Sequence, residues 1–292
     1  MEGFTAGTVI SWNNRHNRDT TERRAARARV ASQFPAAVIT GGSRGIGLAF
    51  ARVMRRYGHD VVLISRNETE LTEAAASLAV VGKERIFTLA CDITASNVLR
   101  QIDEGLARFG CYIDVLVNNA AIGLSGPFEN YPADELDNLV ALNVTALTRL
   151  TRHALPSMLA RGTGGILNIA SLGGVVPGPN QAAYYASKAY VMSLTDALAS
   201  EISGRGVRIS VVAPGPIATG FHASMNAEQA RYRFMLPELD ADHVARAGYR
   251  GFTLGKRVIV PGLLYKMFYG ALRILPHPIS VPMTGWLLKN PK

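Results

Sequence analysis

Short apolar runs rich in β-branched residues alternate along the chain with stretches whose apolar side chains recur at helical spacing. The runs predict seven strands, at Ala36–Thr40, Asp60–Ser65, Arg85–Cys91, Asp114–Asn118, Gly165–Ala170, Val207–Ala213 and Arg257–Val260. The stretches between them predict helices at Gly45–Tyr57, Glu68–Val80, Ala133–Ala160 and Tyr184–Ser203. Near-continuous apolar strands are typical of a parallel sheet covered on both faces. The pattern therefore predicts an α/β fold, a single doubly wound domain with a seven-stranded parallel sheet.

The two ends of the chain depart from this central pattern. Residues 1–33 are polar, Arg-rich and aperiodic, which predicts a disordered basic tail or an artefact of the translation start, while residues 34–292 are expected to form the domain. A substrate lid is expected at residues 217–250, with the apolar side chains of Met225, Phe234, Met235 and Leu236. Residues 263–292 form a variable apolar and basic end, in which Pro276, Pro278 and Pro282 are expected to break a helix.

Composition and charge exclude several classes of protein. Of the 292 residues 48% are hydrophobic, enough to bury a sizeable core and to exclude general disorder. The net charge of +9 is concentrated at the ends, because residues 243–292 hold eight Lys or Arg and no acid. No nucleic-acid reading motif accompanies these charges, so no nucleic-acid partner is expected. The segment Leu263–Leu275 has two interpretations, a helix packed on the body or on another subunit, or a peripheral contact with an anionic membrane surface.

Cysteine and histidine usage bears on location and metals. The chain has two cysteines, Cys91 and Cys111, which are far apart and outside any C-x-x-C motif. Together with the lack of a recognisable secretory signal, this favours a reducing, cytoplasmic location. The six histidines show no ligand spacing, so we expect no metal site.

A glycine-rich loop follows the first predicted strand. Gly41, Gly45 and Gly47 lie between a strand and a helix, in the sequence Thr40–Gly47. Glycine lets the backbone turn sharply and approach a pyrophosphate, and the helix N-terminus offers N–H groups and a positive dipole end. Although a plain tight turn is the alternative, the placement favours a Rossmann dinucleotide site.

Charge near this loop indicates which dinucleotide is bound. An acidic residue at the end of the second strand would bind a ribose diol and repel a 2′-phosphate. Here that strand is followed by Arg66, and Arg44 lies in the glycine loop. Two guanidinium groups can hold a phosphate, so NADP(H) is favoured over NAD(H).

A serine, a tyrosine and a lysine provide candidate chemistry. Ser171 follows the fifth strand, and Tyr184 and Lys188 are four residues apart at the start of the next helix, on one helical face. A nearby ammonium lowers the pKa of a phenol, which can then exchange a proton with a carbonyl or alcohol oxygen. Ser171 would donate a second hydrogen bond to the same oxygen.

Taken together, these motifs resemble the short-chain dehydrogenase/reductase superfamily over about residues 34–221. The resemblance rests on the loop Thr40–Gly47, Asp92, Asn118-Asn119-Ala120-Ala121, Asn143, Ser171, Tyr184-x-x-x-Lys188 and Pro214-Gly215 with Thr219. The last residue of the asparagine motif, Ala121, replaces the glycine that is usual in the family.

The resemblance implies roles for individual residues. Tyr184 would be the general acid/base, Lys188 would lower its pKa and hold the nicotinamide ribose, and Ser171 would orient the carbonyl. Asn143 would anchor a proton-relaying water, and Asp92, whose alternative role is a helix cap, would bind adenine. The implied cofactor site further includes Asn118, which would steady the central strand, and Ser43, Ile46, Ile93, Ala120, Pro214, Gly215, Ile217 and Thr219.

The resemblance further implies an NADP(H)-dependent oxidoreductase that acts on a carbonyl or secondary alcohol. The uncharged lid points to a lipophilic substrate of ketone, steroid or acyl type. Two alternatives stay open, a non-catalytic NADP(H)-binding sensor and epimerase or dehydratase chemistry on the same fold. Members of the family often form homodimers or homotetramers, and two long helices, Ala133–Ala160 and Tyr184–Ser203, are available for this.

Overall fold

Seven parallel strands form the central sheet in the computed structural model of the chain, which describes residues 21–79, 85–221, 225 and 230–289. Along the chain the strands are β1 (Phe34–Thr40), β2 (Asp60–Ser65), β3 (Ile86–Ala90), β4 (Cys111–Asn118), β5 (Gly165–Ile169), β6 (Arg208–Val212) and β7 (Val258–Ile259). Their order in the sheet is β3-β2-β1-β4-β5-β6-β7. The predicted seven-stranded Rossmann-type sheet is therefore confirmed.

Helices connect the strands and cover both faces of the sheet. They are α1 (residues 21–29), α2 (Gly45–Arg56), α3 (Glu68–Ala79), α4 (Val98–Phe109), α5 (Ala133–Val140), α6 (Leu147–Arg161), α7 (Ala182–Glu201), α8 (Arg231–Met235), α9 (Ala241–Thr253), α10 (Leu263–Ile274) and α11 (His277–Leu288). A π-helical turn, Ala141–Ala146, joins α5 to α6. No helix in these described ranges has the length and hydropathy needed to cross a bilayer.

Alternate residues of the strands face opposite helical layers. Ala37 and Ile39 of β1 pack with α2, α3 and α9, whereas Ala36 and Val38 pack with α4 and α6. All four side chains are almost completely buried, as expected for a strand covered on both sides.

The strand order reverses between β1 and β4, which are neighbours in the sheet. The chain leaves the carboxyl end of β1 toward β2 and later returns from the other side through β4. A crevice opens at such a switch point, and ligands of open α/β sheets bind there. The glycine loop follows β1 at this edge.

The predicted disorder of residues 1–33 is wrong for part of that segment. Residues 21–29 form α1, and the Arg27 Nε donates to the Arg161 carbonyl at 3.0 Å. Residues 1–20 lie outside the described part of the chain, so the prediction for them stays a prediction.

The predicted helix break at the C-terminal prolines is confirmed at Pro276, the N-cap of α11, which follows the end of α10 at Ile274, and is wrong at the other two prolines. Pro278 lies in the first turn of α11, where its missing N–H would have no intrahelical partner. Pro282 alone lies further inside the helix and removes one hydrogen bond. Because only one bond is lost, the helix continues to Leu288.

The predicted lid, residues 217–250, is too long. Its last part belongs to α9, where Val244 and Ala245 are fully buried and the Arg52–Asp242 ion pair, 2.6 Å long, links α9 to α2. Asp240 caps this helix by accepting from the His243 N–H at 3.0 Å. Residues 222–224 and 226–229 lie outside the described residues. Residues 241–250 therefore belong to the body of the domain, and for the chain before Asp240 the lid stays a prediction.

Candidate active site

A cavity of about 1130 Å³ lies at the carboxyl edge of the sheet, beside the β1–β4 switch point. It extends from the glycine loop to α7 and on to α10 and α11. Most of the residues expected to bind cofactor or substrate line it, namely Gly41, Ser43, Arg44, Gly45, Ile46, Arg66, Asp92, Ile93, Ala120, Ser171, Tyr184, Lys188, Pro214, Gly215, Ile217 and Thr219. Three of the expected residues do not line it: Gly47, Asn118 and Asn143.

The glycine loop is packed tightly against the end of β4. A Cβ on Gly47 would lie 2.2 Å from the Gly41 carbonyl oxygen, and Gly41 itself has a φ of +62°. The Asn119 Nδ2 donates to the carbonyls of Thr40 and Gly41 at 2.9 and 3.1 Å. These contacts fix the loop and leave no room for a side chain at Gly47.

The N-terminus of α2 opens onto the cavity. Gly45 and Ile46 of its first turn line the cavity, and the side chain of Arg44 at the N-cap forms no capping hydrogen bond. Backbone N–H groups and the positive dipole end are therefore presented to the cavity, as a pyrophosphate requires. This arrangement fits a dinucleotide cofactor.

An acidic residue that the sequence analysis missed lies among the expected phosphate-binding arginines. Glu70 of α3 lines the cavity, accepts from the Ser43 hydroxyl at 2.9 Å and lies 3.7 Å from the Arg44 guanidinium. Arg44 is otherwise exposed, with 80% of its side chain accessible. The expected purely cationic pocket is therefore a mixed one.

Asp92 makes local hydrogen bonds but is not the helix cap of its alternative interpretation, because Thr94 lies in a turn and α4 begins at Val98. Its Oδ1 accepts from the Thr94 N–H at 2.9 Å and from the Thr94 hydroxyl at 2.7 Å. Partial burial acts to raise the pKa of Asp92, but these two bonds and the charge of Arg66 outweigh it and lower the pKa. Asp92 is thus a fixed carboxylate on the cavity wall.

The strand β5 and the helix α7 bring Ser171, Tyr184 and Lys188 together. Ser171 follows β5, where its Oγ accepts from the Gly173 N–H at 3.0 Å. Its side chain is near enough to the Tyr184 phenol to act on the pKa of that group. One turn along α7, the Lys188 Nζ lies 5.7 Å from the centroid of the Tyr184 ring. The expected constellation is therefore assembled on one wall of the cavity.

The charge states of this group differ from the simplest expectation. Burial raises the pKa of Tyr184 far above its ordinary value, although the nearby Ser171 hydroxyl acts in the opposite direction. Burial also lowers the pKa of Lys188 to about 8. The Lys188 Nζ donates to the Ile169 carbonyl at 2.9 Å. Tyr184 is therefore a neutral phenol at neutral pH and not the phenolate that a direct lysine contact would favour.

Asn143 and Asn118 support the site from outside the cavity. In the π-helical turn, Asn143 holds Ile122 by two bonds, accepting from its N–H at 3.0 Å and donating to its carbonyl at 2.8 Å. Asn143 also donates to Ser187 at 3.1 Å, and Ser187 donates to the Tyr184 carbonyl at 2.7 Å. Asn118 is buried in the sheet, where it donates to Thr151 and Asn168.

Two glycines leave room for aromatic rings at the cavity wall because they have no Cβ. A Cβ on Gly215 would lie 2.3 Å from the ring of Tyr265, and a Cβ on Gly178 would lie 2.4 Å from the ring of Tyr185. Tyr265, from α10, is 1% exposed and donates to the Pro237 carbonyl. The sequence offered no signal for the Gly215–Tyr265 contact, because the two residues are far apart in the chain.

Known proteins are similar to this chain in both sequence and fold. The sequence profile of the short chain dehydrogenase family matches residues 35–230. Ketoacyl reductase HetN of Nostoc sp. is 37% identical over 181 residues, which are 62% of this chain and 63% of that protein. D-beta-hydroxybutyrate dehydrogenase of Rhizobium meliloti is 32% identical over 214 residues, which are 73% of this chain and 83% of that protein. The match thus spans less than two thirds of the Nostoc protein.

A solved structure gives the same result. The short-chain dehydrogenase from Sphingobium yanoikuyae in complex with NADPH superposes with a TM-score of 0.73 and 32% identity, covering 82% of this chain and 92% of that one. The residues that match the family profile make up more than half of the chain and include the glycine loop, Ser171, Tyr184 and Lys188. The protein therefore belongs to the short-chain dehydrogenase family.

Proposed function

We propose that the protein is an NADP(H)-dependent oxidoreductase that transfers hydride between the nicotinamide and a carbonyl or secondary alcohol. The observation that carries this proposal is the placement of Ser171, Tyr184 and Lys188 together on the wall of a cavity large enough for a dinucleotide. The names of two relatives, a ketoacyl reductase and a hydroxybutyrate dehydrogenase, describe chemistry of the same type.

The described residues divide the work of carbonyl reduction. When bound, the nicotinamide would supply the hydride, and the glycine loop with the N-terminus of α2 would hold the pyrophosphate. Tyr184, a buried neutral phenol, donates the proton to the carbonyl oxygen, and Ser171 orients that oxygen by a hydrogen bond. Lys188 is anchored by the Ile169 carbonyl and places a cation next to the phenol as it loses its proton.

A turnover screen tests this function. Purified protein is offered ketones, aldehydes, steroids and acyl thioesters with NADPH and NADH in parallel. We expect NADPH consumption matched by alcohol formation. Tight NADPH binding without turnover of any substrate would instead indicate a sensor. A substrate that is isomerised or dehydrated with no net NADPH consumption would indicate epimerase or dehydratase chemistry.

The part of the cavity beyond Tyr184 supports a lipophilic substrate. Apolar side chains form this region, contributed by the loop after β5 and by α8, α10 and α11: Leu172, Val176, Met235, Phe268, Leu272, Met283 and Trp286. Such walls favour an apolar body and disfavour a sugar phosphate. In the screen, steroids and long-chain acyl compounds are therefore expected to have lower KM values than short polar ketones.

Preference for NADP(H) is proposed from Arg44 and Arg66, and Glu70 is expected to weaken it. The Glu70→Gln variant removes a negative charge from beside Arg44 while keeping an oxygen that can accept from Ser43. We expect its Kd for NADPH to fall about fivefold and its Kd for NADH to change little, because only NADPH carries the 2′-phosphate.

Fluorescence titration with the two nucleotides measures this effect. Glu73→Gln is the matched control, because Glu73 is an exposed residue of the same helix that does not line the cavity. Two results would contradict a 2′-phosphate site at Arg44. One is an equal fall in the Kd values of NADPH and NADH in Glu70→Gln, and the other is a change in Glu70→Gln that is confined to weaker NADH binding.

The low pKa of Lys188 predicts a pH dependence. A cation is present below its pKa and is lost as the pH rises through that value, which for buried Lys188 is about 8. For ketone reduction, kcat/KM is therefore expected to be flat from pH 6 to 7.5 and to decline about tenfold per unit well above pH 8. In Lys188→Arg, whose guanidinium stays charged, this decline should disappear even if the rate is lower. A decline with the same midpoint in both proteins would assign it to another group.

Assembly and location complete the proposal. We propose a homodimer or homotetramer formed through α6 and α7, where Tyr190 is exposed and bonded to Thr148 at 2.9 Å. Mass measurement by light scattering tests the assembly.

A cytoplasmic location is proposed from the two cysteines, which are free and buried.

A further inference from the structure

The helix α10 exposes an apolar stripe. Leu263, Met267 and Ile274 lie at positions i, i+4 and i+11 of the helix and therefore share one face. Their exposed fractions are 76%, 67% and 84%. Tyr265, on the opposite face, is buried against the body of the protein. The stripe thus points away from the core.

The next helix, α11, repeats this arrangement. Ile279, Met283 and Trp286 lie at positions i, i+4 and i+7, and they are 56%, 38% and 51% exposed. The other face of α11 is buried, and Thr284 there donates to the Pro177 carbonyl at 2.8 Å. Both helices are therefore attached to the body by one side and expose apolar side chains on the other.

This exposure is concentrated around the mouth of the cavity. Of the sixteen large apolar side chains that are exposed in the described ranges, two lie on α8, five on α10 and three on α11. Some of the same side chains also line the cavity, among them Met235, Phe268, Met283 and Trp286. We call the exposed set the C-terminal apolar surface; it comprises Phe234, Met235, Leu263, Leu264, Met267, Phe268, Ile274, Ile279, Met283 and Trp286.

The charges on α10, on α11 and directly after them are all positive, although Glu238 is exposed between α8 and α9. Residues 263–289 include Lys266, Arg273 and Lys289 and no acidic residue. Lys266 and Arg273 are seven residues apart, so they lie on one flank of α10, next to the apolar stripe. A symmetric contact between two copies would bring like charges together, whereas an anionic surface is complementary to them.

We propose that the C-terminal apolar surface docks on an anionic phospholipid bilayer, with its apolar side chains among the upper acyl chains and Lys266 and Arg273 at the headgroups. Trp286 lies at the edge of the cavity, where an interfacial tryptophan contacts both lipid and headgroup. The cavity mouth then faces the lipid, so a lipophilic substrate enters from the bilayer. This last step rests on the proposed function, while the docking does not.

Sedimentation with vesicles tests the docking. The full chain is mixed with vesicles of phosphatidylcholine alone or of an equimolar mixture with phosphatidylserine. We expect strong binding to the mixed vesicles and weak binding to the neutral ones. Lys266→Gln and Arg273→Gln should each weaken binding to the mixed vesicles about fivefold. Met267→Glu combined with Ile274→Glu should weaken it at least tenfold, because two charges are forced among the acyl chains.

A matched control separates docking from general surface apolarity. Leu254 is 64% exposed but lies at the end of α9, outside the C-terminal apolar surface, so Leu254→Glu should bind vesicles like the original protein. Equal binding to neutral and anionic vesicles, or equal losses in Leu254→Glu and Met267→Glu/Ile274→Glu, would overturn the proposal.

Two further measurements keep the test decisive. In one contradicting result, the original protein binds no vesicles and instead forms a dimer that dissociates in Met267→Glu/Ile274→Glu. That result would assign the surface to a second copy and overturn the proposal. Reduction of a water-soluble ketone should be unchanged in this variant, since neither residue lines the cavity. Loss of vesicle binding with that activity intact supports docking, whereas a protein that docks but reduces no ketone would refute only the proposed function.

Discussion

Tyr184→Phe is expected to lower the rate of ketone reduction by a factor of about 10² to 10⁴, the usual contribution of a positioned acid. The variant keeps the ring, which contacts the rings of Tyr185 and Phe221, and loses only the hydroxyl. NADPH binding should change little, because the glycine loop and the N-terminus of α2 are untouched. Single-turnover kinetics together with an NADPH titration measure the two effects separately.

The neighbouring phenol provides a matched control. Tyr185 lies on the same helix and also lines the cavity, but its ring packs over Gly173 and Gly178. Tyr185→Phe should therefore keep most of the rate. Equal losses in the two variants, or a Tyr184→Phe enzyme that retains a near-original rate, would show that the acid is misassigned.

Gly47→Ala is expected to damage both the cofactor site and the fold. The new Cβ would lie 2.2 Å from the Gly41 carbonyl oxygen and 2.6 Å from the Asn119 Nδ2. Because the nearest atom belongs to the backbone, the loop must move and the Asn119 hydrogen bonds must break. We expect a loss of roughly 3 kcal/mol in the free energy of unfolding. NADPH affinity should fall at least 100-fold, since loop and helix no longer present their N–H groups together.

Thermal unfolding with and without NADPH measures both effects. Gly270→Ala is the control, since no atom lies within 4 Å of a Cβ at that exposed position of α10. Alanine there should stabilise the helix slightly, by up to about 1 kcal/mol. If Gly47→Ala unfolds at the original temperature and binds NADPH normally, the tight cradle described for the loop is wrong.

The sequence predicted the sheet well because its signal is local. The run from Val61 to Ile64 is apolar throughout, and burial on both faces allows few other arrangements. The glycine loop and the spacing of Tyr184 and Lys188 were also visible, since each motif lies within a few residues. The same reasoning did not identify α4, although Val98, Ile102 and Leu106 recur at helical spacing and are buried.

Contacts between distant residues were the ones that sequence reasoning missed. Glu70 reads as an ordinary surface charge of α3, and only the fold brings it to Ser43 and Arg44. Likewise, the anchoring of Lys188 to the Ile169 carbonyl depends on how α7 packs against β5. Such contacts are set by tertiary packing, which produces no periodic pattern of residue types along the chain.

The two wrong predictions at the chain ends have local explanations. Proline breaks a helix at most interior positions, whereas Pro278 occupies a first-turn position where proline is tolerated. The polar, Arg-rich composition of residues 21–29 predicts disorder, but Arg27 gains a hydrogen bond to Arg161 in the body.

Transfer of deuterium from NADPH that carries deuterium at both positions of nicotinamide C4 tests the central claim most directly. The labelled nucleotide is incubated with a ketone that the enzyme consumes, and the product alcohol is analysed by mass spectrometry and NMR. We predict one deuterium on the carbinol carbon of a single enantiomer, and none in product formed without enzyme. An alcohol or isomer formed without deuterium at that carbon would contradict hydride transfer beside Tyr184.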